Sequence, residues 1–325
     1  MQGKTVIACF IRKYSVETQD LASLQFPTLN FPNLETGMND NYLYVAMSLD
    51  IDPDANVAVE GRHDALSAPL QSRNVRVEAC KKGLHKILEL LDVYDIDATL
   101  FYEARTAQML VADGMDLPEL SQNHEIACHS LKHEDYLGKV SGLPMKEDAV
   151  QESITGAREI LEGIFRRAIR GFRAPYTRVN QAVIKVLERM DFHYDSSETI
   201  HLGTAWKGKP FPLKTFDSTI IELPLPAFPD ARGKKMTSYL WAIFEGKRNA
   251  QEYIDAVVRA KKVAQGGLFV FAIHPWHLWI NSQGDTFTEE QVARNLKNFE
   301  SIVSQLKHMN GIKIIRMDKY LEKGY

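Results

Sequence analysis

Two histidines four residues apart, His129 and His133 in the string HSLKH, are the side chains best suited to hold a metal ion. On a helix this spacing places both imidazoles on one face, and in a loop it leaves both within reach of one ion. With one carboxylate they form a ligand set that suits Zn, Fe, Co or Mn and leaves positions open for water and substrate. An isolated pair of this kind is more often an ordinary surface or core pair, so the other polar residues must decide.

A pair of carboxylates, Asp50 and Asp52 in the string SLDID, supplies the acidic groups that such a site needs. In an extended strand end, residues two apart share a side, so one carboxylate can bind metal while the other accepts a proton from water. A bound divalent ion would lower the pKa of its water and polarise a substrate carbonyl. The pair therefore predicts metal-assisted hydrolysis.

Three further polar residues could assist proton transfer in that reaction: Arg173 in GFRAPY, Asp195 in YDSS and His274 in LFVFAIHP. Arg173 could hold the basic carboxylate ionised and oriented, and Asp195 could do the same for His274. His274 would then be protonated and could donate to a leaving amine. This combination predicts hydrolysis of a carbon–nitrogen bond.

The elements that must position these residues are short apolar strands that alternate with amphipathic helices, a pattern typical of βα units around a parallel sheet. Each polar group follows a predicted strand, and in a parallel barrel the carboxyl ends of the strands open on one face. About seven βα repeats result, with 1–41 and 54–76 fitting the rhythm poorly. The predicted strands are 42–49, 98–102, 125–128, 169–173, 220–223, 268–273 and 312–316, and the main predicted helices are 146–165, 250–264 and 288–309.

The strings SLDID, HSLKH, FRAPY, YDSS and FAIHP, in this order, resemble the five motifs of the polysaccharide-deacetylase superfamily, also called carbohydrate esterase family four or the NodB-homology domain. The resemblance extends over residues 42–320. It implies an irregular (β/α)7 barrel, which agrees with the repeat count. We therefore expect a single-domain α/β protein with an N-terminal extension, 1–41, packed on a catalytic barrel, 42–325.

Carried over residue by residue, the resemblance implies three metal ligands and a set of catalytic groups. Asp50 would be the general base, tuned by Arg173, and His274 the general acid, oriented by Asp195. The backbone N–H of Tyr176 would stabilise the oxyanion. The implied metal ligands are Asp52, His129 and His133.

The first motif differs from the usual pattern, because Ile51 separates two acids that are usually adjacent. This D-x-D spacing is similar to that of a subgroup containing intracellular peptidoglycan deacetylases and metal-independent allantoinase-like proteins. It leaves Asp50, Asp52 and Asp54 as alternatives for the metal, and it widens the substrate range beyond sugars.

Three residues close to the motifs are predicted to contact substrate: Pro175 in FRAPY, and Trp276 and Trp279 in PWHLWIN. We expect the two indoles at the mouth of the pocket, where an aromatic ring could stack on a sugar. The alternative for both tryptophans is packing against a neighbouring loop.

The amino-acid composition excludes several classes of protein. With 325 residues, 39 Lys and Arg against 42 Asp and Glu, and 45% hydrophobic residues, the chain is neither disordered nor basic enough for nucleic-acid binding by bulk charge. It contains no apolar run long enough to span a membrane, no signal peptide is recognised, and its three cysteines suggest no disulfide framework. We therefore expect a cytoplasmic protein, and a homo-oligomer is left open.

The predicted function is a metal-dependent hydrolase that removes an acyl group, with acetyl as first choice, from the amide nitrogen of an amino sugar or related carbohydrate. The expected cofactor is Zn, with Fe, Co or Mn as alternatives, and the expected partner is a small molecule or oligosaccharide. Three alternatives remain: a hydrolase of small linear or cyclic amides, a non-haem iron oxygenase, and a non-catalytic carbohydrate-binding protein.

Overall fold

A computed structural model describes residues 41–53, 56–57, 66–67, 70–139, 141–201, 218–230 and 232–323. The predicted N-terminal extension, up to residue 40, and Asp54 lie outside these residues. In chain order the elements are β1 (Leu43–Ile51), β2 (Asn56–Val57), β3 (Leu66–Ser67), α1 (Leu70–Val93), β4 (Thr99–Tyr102), α2 (Ala104–Ala112), α3 (Leu117–Leu120), β5 (Glu125–Cys128), α4 (Glu147–Phe165), β6 (Gly171–Phe172), α5 (Gln181–Arg189), β7 (Tyr194–Asp195), β8 (Thr199–His201), β9 (Ile221–Glu222), β10 (Leu225–Pro229), β11 (Lys235–Thr237), α6 (Trp241–Phe244), α7 (Ala250–Val263), β12 (Leu268–Ile273), α8 (Glu289–His308), β13 (Ile312–Ile314) and α9 (Met317–Leu321).

Eight of these strands form one curled parallel sheet in the order β12-β1-β4-β5-β6-β7-β9, with β13 also paired to β1. Every strand pair within this sheet is parallel. Beside β12, the backbone N–H of Leu240 donates to the carbonyl oxygen of Ala272 at 2.9 Å, which adds the segment after β11 to the free side of that strand. The predicted α/β barrel of the deacetylase type is confirmed.

Strand β1 shows why the pattern of the sequence produces this architecture. All nine of its residues are buried. Leu43, Val45 and Met47 pack in the large core shared with the helices, whereas Tyr44 and Ala46 belong to a second cluster that fills the barrel interior. Since successive side chains point to opposite faces, a register slip of one residue would exchange the two layers. Burying each aliphatic side chain contributes about 1.5–3 kcal/mol, which fixes the register.

A buried polar cluster closes the barrel at the amino ends of the strands. Glu125, at the start of β5, accepts hydrogen bonds from the Thr99 hydroxyl at 2.7 Å, the Tyr194 hydroxyl at 2.7 Å and the Asp318 backbone N–H at 3.0 Å. Both carboxylate oxygens are therefore engaged. We call this set the basal cluster.

Helix α1 packs closely against the 3-10 turn Pro275–Leu278 that follows β12. Gly83 makes this approach possible, because a Cβ at that position would lie 1.9 Å from the carbonyl oxygen of Pro275. The position of the chain just after β12 is therefore set by α1. Residues 54–76 fit the predicted alternation of strands and helices poorly, but α1 begins at Leu70, because packing that a local pattern does not report stabilises the helix.

The other expected helices agree with α4, α7 and α8 to within a residue or two. Strands β6 and β9 are only two residues long, shorter than the runs predicted for them, and β7, also two residues long, was not among the predicted strands. Within the described residues, none of the helices combines the length and apolar character needed to cross a bilayer.

Candidate metal and catalytic site

Three buried side chains at the carboxyl ends of two strands could hold one metal ion. Asp52 follows β1, and His129 and His133 follow β5; their donor atoms all lie within 4.8 Å of one another. The Nε2 atoms of His129 and His133 are 3.5 Å and 3.9 Å from Asp52 Oδ2. In a four-coordinate Zn site, ligand atoms bound at about 2.0–2.2 Å lie roughly 3.3 Å apart. The three atoms therefore fit a single divalent ion with little movement.

The local backbone explains how the two imidazoles converge. Ser130 and His133 have φ values of 71° and 61°, so HSLKH forms a tight loop and not a helix. His129 Nδ1 donates to the carbonyl oxygen of Arg173 at 2.8 Å, which turns its Nε2 toward Asp52. A hydrogen bond of this kind orients metal-binding histidines in general. Burial lowers the pKa of His129 and of His133, which keeps both imidazoles in the neutral, ligating form.

Arg173 is fully buried and contacts Asp50 directly. Its Nη1 lies 2.6 Å from Asp50 Oδ1 and 2.9 Å from the Ser48 hydroxyl, and its Nε and Nη2 donate to the carbonyl and hydroxyl oxygens of Ser196. The guanidinium also lies over the Phe101 ring, 4.1 Å from its centroid. Burial would raise the pKa of Asp50, but the charge of Arg173 holds it well below its usual range. Asp50 is therefore an ionised carboxylate beside the candidate metal site.

His274, directly after β12, faces both carboxylates. Its Nε2 is 4.0 Å from Asp50 Oδ2 and 3.8 Å from Asp52 Oδ2, and its side chain is 21% exposed, the most open of this group. Burial, opposed by Asp50, lowers the pKa of His274 to about 3. The structure thus brings together the predicted base, the predicted acid and the three predicted ligands.

Asp195 does not take the place expected of it. Its Oδ1 accepts a hydrogen bond from the Ser197 hydroxyl at 2.5 Å, and its carboxyl also pairs with that of Glu222. His274 Nδ1 makes no hydrogen bond to any described residue, so no such contact joins it to Asp195. The predicted contact between Asp195 and His274 is therefore wrong. Burial raises the pKa of Asp195 to about 6, and burial together with Asp195 raises that of Glu222 well above its usual range.

Tyr239 is a site residue that the sequence did not indicate. Its hydroxyl donates to Asp50 Oδ2 in a short hydrogen bond, and its ring stacks on His274 with centroids 5.3 Å apart and planes at 17°. His277 lies on another side of His274, with ring centroids 5.9 Å apart, and its Nε2 is 3.6 Å from Glu245 Oε1. No sequence motif contains Tyr239, because its position in the site depends on backbone pairing with β12.

The turn after β6 carries two other predicted residues. Pro175 is buried, and Tyr176 has φ 58° and ψ 10°, a left-handed conformation that is unusual for a large side chain. The Tyr176 ring packs edge-on against His133, with centroids 4.8 Å apart. Such strain in a turn beside the candidate metal site is typical of functional positions.

The two tryptophans after His274 differ from each other. Trp276 is 1% exposed, its ring lies 3.7 Å from that of His277, and the Arg76 guanidinium covers it at 5.3 Å. The prediction that Trp276 offers an open stacking surface at the pocket mouth is therefore wrong, because packing encloses it. Trp279 is half-buried beside Lys82, and its contact with substrate stays a prediction.

The comparisons with known proteins bear on the family resemblance. Residues 78–194, from α1 to the start of β7, match the family model described as polysaccharide deacetylase. The matched segment includes HSLKH and FRAPY. The resemblance to this family that was found in the sequence is therefore confirmed for this part of the chain. No curated protein sequence matches the chain significantly.

Solved structures share the fold at low sequence identity. A Mycobacterium smegmatis protein assigned to the polysaccharide deacetylases is 19% identical, with a TM-score of 0.61, and the match covers 88% of this chain and 91% of that one. PuuE allantoinase has the same TM-score and coverage at 14% identity. A 4-α-glucanotransferase from Thermococcus litoralis, at 8% identity and a TM-score of 0.59, matches 87% of this chain and 40% of its own length. One fold thus serves several reactions, and the site must decide among them.

Proposed function

We propose that this protein is a metal-dependent hydrolase that removes an acyl group, with acetyl as first choice, from the amide nitrogen of an amino sugar or related carbohydrate. The observation that carries the proposal is the placement of an Arg173-held Asp50 and of His274 beside the Asp52, His129 and His133 group. An iron oxygenase would need the ligands alone, whereas amide hydrolysis needs a base and an acid as well.

The ligand group fits a divalent ion, with Zn as first choice and Fe, Co or Mn as alternatives. When bound, such an ion polarises the amide carbonyl and lowers the pKa of water. Asp52, His129 and His133 would hold it.

Asp50 is the general base of the proposed reaction. As the oxygen of water joins the acyl carbon, Asp50 accepts one proton of that water at Oδ2. Arg173 remains on Oδ1 and keeps the carboxylate ionised beforehand. The backbone N–H of Tyr176, in its left-handed turn, would stabilise the oxygen that develops negative charge.

His274 completes the proton transfer. Since burial keeps its imidazole neutral at rest, we propose that it is protonated during turnover by the proton that Asp50 has taken. The distance of 4.0 Å between Asp50 Oδ2 and His274 Nε2 is closed by a small movement or one water. His274 then donates to the leaving nitrogen as the carbon–nitrogen bond breaks, which releases a carboxylic acid and an amine.

A second candidate function is hydrolysis of a small linear or cyclic amide. The Asp50-Ile51-Asp52 spacing and the structural similarity to PuuE allantoinase favour it. The same base and acid would serve, because the bond broken is again carbon–nitrogen. The cytoplasmic location stays a prediction, and with it the hypothesis that the substrate is a nucleotide-linked or lipid-linked aminosugar or a soluble oligosaccharide.

The deciding experiment measures metal content and hydrolysis in wild type, His133→Ala and the control His193→Ala, whose side chain is exposed and outside the site. After equilibration with limiting Zn, Fe and Mn, we expect near-stoichiometric metal in wild type and the control and its loss in His133→Ala. Acetate release from N-acetylated aminosugars supports the first function, and ring opening of cyclic ureides the second. A wild type with neither metal nor turnover would contradict both and favour a non-catalytic binding protein.

A further inference from the structure

We propose that Tyr239 is a positioning residue for this reaction, fixing the Asp50 carboxylate and the His274 ring relative to each other. The inference rests on the proposed function and adds a group that none of the five sequence motifs contains. Tyr239 is the one side chain among the described residues that both hydrogen-bonds to Asp50 through its hydroxyl and stacks on His274 through its ring.

The backbone around Tyr239 is held firmly enough for such a role. Ser238 N–H donates to Pro226 O at 2.9 Å, and Ser238 O accepts from Ala272 N–H at 3.3 Å. On the other side, Leu240 N–H donates to Ala272 O at 2.9 Å. The segment is thus anchored both to β10 and to β12, the strand that ends at His274. The two stacked rings are carried by neighbouring, hydrogen-bonded backbones.

The hydroxyl completes a two-point clamp on Asp50. Arg173 binds Oδ1 and Tyr239 binds Oδ2, so rotation of the carboxylate plane would break one of the two contacts. A carboxylate oxygen can accept two hydrogen bonds, so Oδ2 keeps one acceptor direction for the proton of water. Without the hydroxyl, only Oδ1 is held, and the accepting oxygen can turn away from the gap beside His274.

The Tyr239 ring orients the His274 imidazole, a role that Asp195 does not fill. His274 Nδ1 is buried and makes no hydrogen bond to the residues that the structure describes, whereas the equivalent atom of His129 is fixed by a carbonyl. Packing must therefore orient the His274 imidazole. Stacking on Tyr239 at 17° limits its tilt, so the same residue aligns the acid and the base.

The test compares Tyr239→Phe, which keeps the ring, with Tyr239→Leu, which removes ring and hydroxyl. The matched control is Tyr253→Phe, which deletes a hydroxyl that donates to the Tyr239 carbonyl at 3.2 Å but touches neither Asp50 nor His274. We expect Tyr239→Phe to lower kcat by about 10- to 100-fold with KM within about twofold, since misplacement of about 1 Å costs around 100-fold. Tyr239→Leu should lose more, and Tyr253→Phe should stay within about threefold of wild type.

Metal content and the absorption spectrum of the Co(II)-loaded protein should be unchanged in all three variants, because the ligands are not touched. A Tyr239→Phe enzyme with wild-type kcat would overturn the proposal. A raised KM with unchanged kcat would also overturn it and would make Tyr239 a substrate contact. A wild type without metal and turnover would overturn this inference and the proposed function together, whereas an active wild type separates the two.

Discussion

Two buried polar clusters lie at opposite ends of the same sheet, and they are built differently. In the basal cluster, Glu125 satisfies three donors with its two oxygens. At the carboxyl ends of the strands, the Nδ1 atoms of His133 and His274 are buried without a hydrogen-bond partner among the described residues. Because an unsatisfied buried polar atom costs stability, such atoms persist where function requires them. The basal cluster supports the fold, and the other cluster would support the chemistry of the proposed function.

The pKa values of buried carboxyl groups are also shifted in opposite directions at the two ends of the strands. Burial and the neighbouring Asp318 raise the pKa of Glu125 to about 7, so its proton is partly retained at neutral pH. At the other end Arg173 overcomes burial and lowers the pKa of Asp50. A catalytic base must be ionised before the reaction, whereas a structural carboxyl can keep its proton.

The largest effect is expected for Arg173→Met, which leaves Asp50 buried without its charge partner. Breaking a buried pair costs about 3–5 kcal/mol of unfolding free energy, and loss of an oriented base should lower kcat by about 100- to 10,000-fold. Metal content should stay near that of wild type, because His129 is oriented by the Arg173 backbone and not by its side chain. Urea unfolding, kinetics and metal analysis check this, with the exposed Arg105→Met as control. Wild-type kcat in Arg173→Met would contradict the role assigned to the ion pair.

The next largest effect is expected in the basal cluster, where a substitution should reduce stability without reducing activity. Glu125→Ala should lower the unfolding free energy by about 2–4 kcal/mol, since unsatisfied buried donors cost about 1–3 kcal/mol each. Metal content and kcat should change by less than about twofold at a temperature where the variant is folded. Glu125→Gln retains an acceptor oxygen and should lose less. A large loss of kcat in folded Glu125→Ala would show that the two ends are not separable.

A smaller effect is expected where α1 touches the turn after His274. Gly83→Ala places a methyl group against the Pro275 carbonyl and should cost about 1–3 kcal/mol, as overpacking does. Because the displaced turn carries His274, kcat should fall as well. Gly163→Ala, in an open position on α4, should instead stabilise by up to about 1 kcal/mol through helix propensity. Equal behaviour of the two variants in thermal unfolding would refute the contact.

The last prediction concerns the pH dependence of stability that comes from the Asp195 and Glu222 pair. Their pKa values are raised in the folded state, so the native protein keeps protons that the unfolded chain releases. Stability from this pair is therefore greatest below about pH 4 and is lost as pH rises through 6 and above, by up to about 1.4 kcal/mol per pH unit for each proton. Glu222→Gln should reduce the fall in unfolding free energy between pH 5 and pH 8. The exposed Glu290→Gln should not, and an unchanged slope in Glu222→Gln would argue against the pair.

The sequence predicted well whatever depends on local patterns. Continuous apolar runs identified β1 and β12, and polar residues just beyond strand ends located the ligand group, Arg173 and His274. Contacts between segments far apart in the sequence were not predicted. Asp195 was predicted to orient His274, but His274 Nδ1 makes no hydrogen bond to any described residue. Tyr239 was missed, because its position depends on pairing between distant segments that no spacing encodes.

Strand β1 pairs with β12 along one edge, and with β4 and β13 along the other. The pairing of β1 is therefore completed only by β12 and β13, which come much later in the chain. During synthesis a ribosome adds about 5–20 residues per second. Until β12 and β13 emerge, LYVAMSLDI has an unpaired, apolar edge that can join other chains. We expect that this protein completes its barrel only after most of it has been translated, and that its yield depends on chaperones that shield this strand in the interval.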